Sequence, residues 1–162
     1  MKLVEGDQTT LYLDGGGLWI EKVTSGLGVV TWNNYLFAGD AGMIGVRFEK
    51  SDGTVRTRYF HKDHLGSVQR LTDETGAAVD TESYDAWGKR RYPNAHPDDG
   101  NLPASQTTRA FTGHEQLDVG LVHMNGRVYD PQIGRFMSAD PVVETPLAAR
   151  AGTVTPMSAT TR

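Results

Sequence analysis

The sequence predicts an all-β protein, on three observations. Short runs rich in β-branched and aromatic residues recur from Thr9 to about Thr81, and they alternate with a period of two. Glycine or Asp-Gly signals separate them at roughly the 8–12 residue spacing of all-β folds. No long helical stripe runs anywhere in the chain.

The elements follow in order. Thr10–Leu13 stops at Asp14-Gly15-Gly16-Gly17, and Leu18–Val23 stops at Thr24-Ser25-Gly26, where glycine supplies the positive φ of a tight turn. Val29–Trp32 meets Asn33-Asn34 before Tyr35-Leu36-Phe37. Ile44–Lys50 and Thr54–Phe60 flank Ser51-Asp52-Gly53, a hairpin signal. In the second of these, Val55, Thr57 and Tyr59 alternate with Arg56, Arg58 and Phe60, which predicts a half-buried strand with one cationic face. Ser67–Thr72 and Ala77–Tyr84 form another hairpin around Asp73-Glu74-Thr75-Gly76. Between Tyr92 and Thr107, prolines, aspartates and Gly100 mark a long loop. Strand-like sequence resumes at Arg109-Ala110-Phe111 and again at Val119–Met124, which Asn125-Gly126 ends before Arg127-Val128-Tyr129.

Composition narrows the function classes. The 162 residues carry 16 basic and 20 acidic side chains, so a formal charge of −4 argues against a nonspecific nucleic-acid or anionic-membrane binder. With no cysteine, a disulfide framework, a thiolate zinc site and a cysteine nucleophile are excluded. No apolar run has signal-peptide character or approaches the ~20 residues of a membrane span. Neither membrane insertion nor a compartment is predicted.

Two Tyr-Asp pairs lead into glycine-containing turns, Tyr84-Asp85-Ala86-Trp87-Gly88-Lys89 and Tyr129-Asp130-Pro131-Gln132-Ile133-Gly134-Arg135. An aromatic that packs, an aspartate that closes the turn and a glycine at its exit make a repeatable β-turn unit. With Tyr59–Val68, Phe111-Thr112-Gly113-His114-Glu115 and the run Gly120–Pro141, these segments resemble the Rhs/YD-repeat proteins, and the last run resembles the Rhs repeat-associated core. The resemblance covers about residues 9–146. It implies an antiparallel β-hairpin YD-repeat spiral running into a partial core: residues 1–92 as hairpins, 93–107 as a Pro/Asp/Gly-rich loop, 108–146 as partial core. In such proteins the shell is a hollow cocoon around a C-terminal toxin or other effector, and full-length members are secreted or delivered by contact-dependent machinery. This chain would be a structural fragment of that shell and not itself an enzyme, its partners the remainder of the shell or the enclosed effector. Self-association through exposed strand edges is also expected.

The resemblance also implies chemistry. In related shells the core is an aspartyl autoprotease, and the positions matching its arginine and first aspartate are Arg127 and Asp140. The second aspartate lies in a downstream Asp-Pro-x-Gly-Leu motif that this chain lacks; after Asp140 its one acidic residue is Glu144. An aspartyl protease needs two carboxylates that share a proton. Arg127 and Asp140 therefore read as inactive here unless another chain supplies the partner, and a strand arginine with a turn aspartate is the plainer alternative.

Other constellations carry less. His61, Asp63, His64, His114, Glu115 and His123 complete no metal-ligand motif, and Asp98-Asp99-Gly100-Asn101 lacks the spacing and terminal glutamate of a calcium loop. No metal or cofactor is expected. Lys89-Arg90-Arg91 reads as a solvated guard of a strand edge. Trp19, Trp32 and Trp87 are packing residues at strand spacing, or the stacking platforms of a surface carbohydrate-binding module. Residues 147–162 lack the aromatics of the family pattern. Back-translated and read across codon boundaries, Ala151–Arg162 permits the familiar continuation WNRYSYVxNNP, so a frameshift near Thr145–Leu147 is expected to have left an out-of-frame, disordered tail.

Overall fold

A computed structural model describes residues 2–15, 18–97, 100–117 and 119–140. The glycine pair 16–17, the acidic pair 98–99, Glu144 and the tail 147–162 singled out above lie outside them. The chain forms two units, Met1–His64 with Val68–Thr81, and Leu65–Ser67 with Glu82–Arg162.

The first unit is one antiparallel sheet in which each strand pairs with its neighbour in sequence: β1 (Lys2–Glu5), β2 (Gln8–Gly15), β3 (Leu18–Thr24), β4 (Val30–Phe37), β5 (Met43–Lys50), β6 (Val55–Lys62), β7 (Val68–Thr72) and β8 (Ala78–Thr81). Period-two alternation assigns the faces. Tyr35 lies opposite Val46, and Val46 opposite Arg58, so this row shares a face. Tyr35, Val46, Phe60, Val68 and Leu71 form the buried cluster, with Trp19, Met43, Phe48 and Val79 against it.

Two sequence expectations change here. Asn33-Asn34 does not break the strand, and β4 runs through it, because the Asn33 amide donates from Nδ2 to Glu21 Oε2 (3.3 Å) instead of closing a turn. The Tyr35 hydroxyl donates to the same oxygen at 3.0 Å. Those bonds let Glu21 lie only 1% exposed, since a buried carboxylate is tolerated when it is hydrogen-bonded. In β6 the buried face is the one carrying Arg58 and Phe60, while Val55 and Tyr59 are exposed. Register with Val46 decides this, and Arg58 accommodates it by burying its aliphatic stem while Nη1 donates to the Thr57 carbonyl.

The second unit holds a pair, β9 (Ser83–Tyr84) with β10 (Arg90–Arg91), and a four-stranded antiparallel sheet of β11 (Glu115–Gln116), β12 (Val122–Met124), β13 (Arg127–Asp130) and β14 (Arg135–Phe136). Its core is Phe111, Val122 and Tyr129, packed by Tyr84, Met124 and Phe136. Arg109-Ala110-Phe111 is not a strand: Arg109 bridges Glu115, and Thr112 (φ 53°) with Gly113 (φ 74°) reverses the chain. The expected strand from Val119 shortens to Val122–Met124 because Gly120, at φ 79°, closes a turn. Of the basic run only Lys89 is exposed, and the two arginines are not a solvated guard. Arg90 Nε and Nη2 both donate to the buried Glu82 carboxylate, and Arg91 Nε donates to Ser83 Oγ.

One turn recurs in both units. At Ser25–Val29, Lys50–Thr54, Asp73–Ala77, Asp85–Lys89, Ala110–His114 and Leu117–Leu121, the first N–H donates to the fifth carbonyl, and the fourth residue, a glycine, donates back to the first carbonyl. Each of these glycines has φ between 74° and 91°. This places a left-handed residue at the end of a tight turn, the geometry of a bulged hairpin connection. Asp73 and Asp85 reinforce it identically, each Oδ1 accepting the N–H groups two and four residues on, at 2.8–3.0 Å.

Two tests follow from the turn. A Cβ at Gly76 meets no atom within 4 Å, so Gly76→Ala isolates the backbone term and should cost about 1–2 kcal/mol in urea unfolding. At Gly88 the same methyl would fall 2.4 Å from the Phe111 ring, so Gly88→Ala should cost clearly more; equal losses would separate the turn from the aromatic core. Separately, the hydrogen bonds from Thr75 and Ala77 hold the Asp73 carboxyl below its ordinary 3.8. The folded value being the lower one, its contribution is complete above pH 3.8 and fades as pH falls through the folded value. Asp73→Asn should therefore lower stability at neutral pH and flatten the acid limb of the stability–pH curve, so that variant and parent converge as pH falls.

Candidate functional site

The two residues singled out for chemistry are brought together. Arg127 opens β13 and Asp140 follows β14, and Arg127 Nη2 lies 3.3 Å from Asp140 Oδ2. The Arg127 side chain is 30% exposed and that of Asp140 52%, so the pair stands at the surface, reachable by another chain. An ion pair this exposed contributes at most about 1 kcal/mol of stability. Its consequence is positional.

The hairpin that carries it is held from below. Asp130 Oδ1 accepts the Gln132 N–H at 2.8 Å, and Gly134, at φ 63°, turns the chain so that Tyr129 pairs with Phe136. The Tyr129 and Phe136 rings meet edge to face, 5.5 Å between centroids. The Arg127 guanidinium lies 3.8 Å over the Phe136 ring, within cation–π range. Phe136 is thus a site residue not singled out from the sequence, although an aromatic directly after the turn residues Gly134-Arg135 is the signal for it.

Tyr129 ties this hairpin to the other Tyr-Asp turn. Its hydroxyl donates to the Trp87 carbonyl at 2.8 Å, and burial, then the Asp85 and Asp130 charges, push the phenol above its ordinary 10.0, which keeps it a donor. A Cβ at Gly134 would lie 3.1 Å from the Trp87 indole, so the ring is seated against that turn. Trp87 remains 57% exposed.

The remaining candidates stay apart. His61 Nε2 meets Thr72 Oγ1 at 3.0 Å, and Asp63 Oδ2 accepts from Gln69 Nε2 at 3.2 Å. His114 Nδ1 meets Thr112 Oγ1 at 2.8 Å. Burial foremost, then the Arg109 and His123 charges, hold the His114 imidazole below its ordinary 6.5. Among the described residues no group of three or more His, Asp or Glu side chains is arranged to hold a metal ion. Trp19 packs against the first core, and Lys22 lies 5.3 Å over the Trp32 ring.

Known proteins share parts of this sequence and fold. The chain is 36% identical over 90 residues to double-stranded DNA deaminase toxin A of Burkholderia cenocepacia, a match covering 54% of this chain and 6% of that protein. It is 26% identical over 141 residues to the tRNA3(Ser)-specific nuclease WapA of Bacillus spizizenii, covering 86% of this chain and again 6% of the relative. The chain therefore spans only a small part of the length of these relatives. Among solved structures, that of TcdB2-TccC3-TEV superimposes with a TM-score of 0.63 at 21% identity, over 86% of this chain and 7% of that one, a likeness of fold. The family profile described as the teneurin YD-shell matches residues 51–159. The chain belongs to that family, as a shell-type segment of the Rhs/YD-repeat proteins related to toxins.

Proposed function

We propose that the chain is a length of wall in a β-shell that encloses a C-terminal toxin or other effector. Residues 1–92 serve as the hairpin spiral, 93–107 as the connecting loop and 108–146 as the start of the core. The observation that carries this reading is strand order: β1 to β8 follow one another without a crossover, and among the described residues β1 and β8 each pair on one side only. A sheet built this way extends by adding hairpins at either edge, as a wall does. The similarity to a DNA deaminase toxin and to a tRNA-specific nuclease supports an effector as cargo. Such edges are pairing templates. Purified alone, the chain should run as oligomers in sizing chromatography, and a monodisperse monomer that melts cooperatively would overturn the wall reading.

A second reading rests on the Arg127–Asp140 pair. Aspartyl proteolysis divides acid and base roles between two carboxylates that activate water against a peptide carbonyl. The described residues bring one of them, Asp140, to an arginine at the surface. A second chain bearing an Asp-Pro-x-Gly-Leu segment supplies the other in this reading, while Arg127 and Phe136 fix the position of the first. The intact mass of the chain alone should stay constant over time. Mixed with such a segment, a cleaved product should appear and be lost in Asp140→Asn; cleavage that survives this substitution would leave the pair a structural one.

A further inference from the structure

The connection between β12 and β13 consists of two residues, Asn125 and Gly126, since Met124 and Arg127 already face each other across the hairpin. Both are exposed, and Asn125 is held at φ 54°. Among the described residues, the Gly126 N–H donates no hydrogen bond. We propose that Asn125-Gly126 is a modification site, at which the chain converts itself to aspartate and isoaspartate with water as the only co-reactant.

The reaction follows from what stands next to the amide. The Gly126 backbone nitrogen, losing its proton to solvent base, attacks Asn125 Cγ; a C–N bond forms and the side-chain nitrogen leaves as ammonia, closing a succinimide. Water then opens the ring. Cleavage between Cγ and nitrogen gives aspartate, and cleavage between the main-chain carbonyl carbon and nitrogen leaves the chain running through the side chain as isoaspartate. Glycine matters because no Cβ shields its nitrogen. The attack also needs the turn to open briefly, and only the Met124–Arg127 and His123–Val128 pairs lie between the tip and the buried Val122 that anchors the strand.

The other asparagines lack one or more of these conditions. Asn33 is buried and donates to Glu21, and Asn34 lies within β4; each is followed by a residue with a side chain. Asn94 Oδ1 accepts the His96 N–H, and Ala95 follows it. Asn101 is followed by Leu102. The product would bear on the neighbouring pair: a new carboxylate appears two residues from Arg127, and isoaspartate adds a backbone atom to a two-residue connection whose length sets the register of β13. This inference is independent of any proteolytic role for Asp140.

The test uses the full native chain, held at mildly alkaline pH and body temperature and sampled over days. Tryptic mapping isolates residues 110–127, in which Asn125 is the one asparagine. Aspartate and isoaspartate should accumulate there before any change at Asn94 or Asn101, faster as pH rises. Gly126→Ala should slow the conversion several-fold, and Asn125→Gln should abolish it. A native chain that stays intact at Asn125 while its urea-unfolded form converts would overturn the proposal, as would earlier conversion at Asn94 or Asn101.

Discussion

The fold depends on one conformational constraint, that a five-residue connection between antiparallel strands ends on a residue in the left-handed region. Reversing the chain that tightly while keeping the right-handed twist of the flanking strands favours a positive φ at the fourth position, which glycine meets without steric cost; the Ala38–Gly42 connection keeps the same two hydrogen bonds with Ala41 fourth and puts Gly39 (φ 46°) and Gly42 (φ 64°) in the left-handed region instead. Glycines 28, 53, 76, 88, 113 and 120 all occupy it. The turn at Tyr92–His96 has the same hydrogen bonds with Ala95 in that place, at φ 67°. One local geometry thus makes the β3–β4, β5–β6 and β7–β8 connections of the first unit and recurs in the second.

The constraint also explains the aspartates. At the first position of such a turn a carboxylate reaches two backbone N–H groups that the reversal leaves exposed, as Asp73 and Asp85 both do. The Tyr-Asp signature therefore joins two separate duties. The aspartate closes the turn, while the tyrosine before it enters the aromatic core: Tyr84 against Phe111 with centroids 6.0 Å apart, Tyr129 against Phe136.

Charge is handled differently inside and at the rim. Buried carboxylates are held by several donors, Glu21 by Asn33 and Tyr35, Glu82 by both nitrogens that Arg90 offers. Leaving either without donors would incur the full desolvation cost of the group. Arg127 and Asp140 instead meet near solvent over an aromatic ring, where the energy is small and the geometry is what the arrangement secures.

Fold class, hairpin order and most turns are legible in the chain, because period-two alternation and turn glycines are local consequences of backbone sterics. The sequence also marked Arg127 and Asp140, through a motif whose residues are near one another in the chain. The tertiary structure alone decided which face of β6 is buried, because that depends on register with Val46 and not on the hydropathy of β6. It decided likewise that Asn33 serves Glu21 rather than a turn, that Arg90 is spent on Glu82, and that Phe136 carries the Arg127 guanidinium. Each of those outcomes is a contact between strands, and a side chain's partner across a sheet is set by register, which no single strand contains.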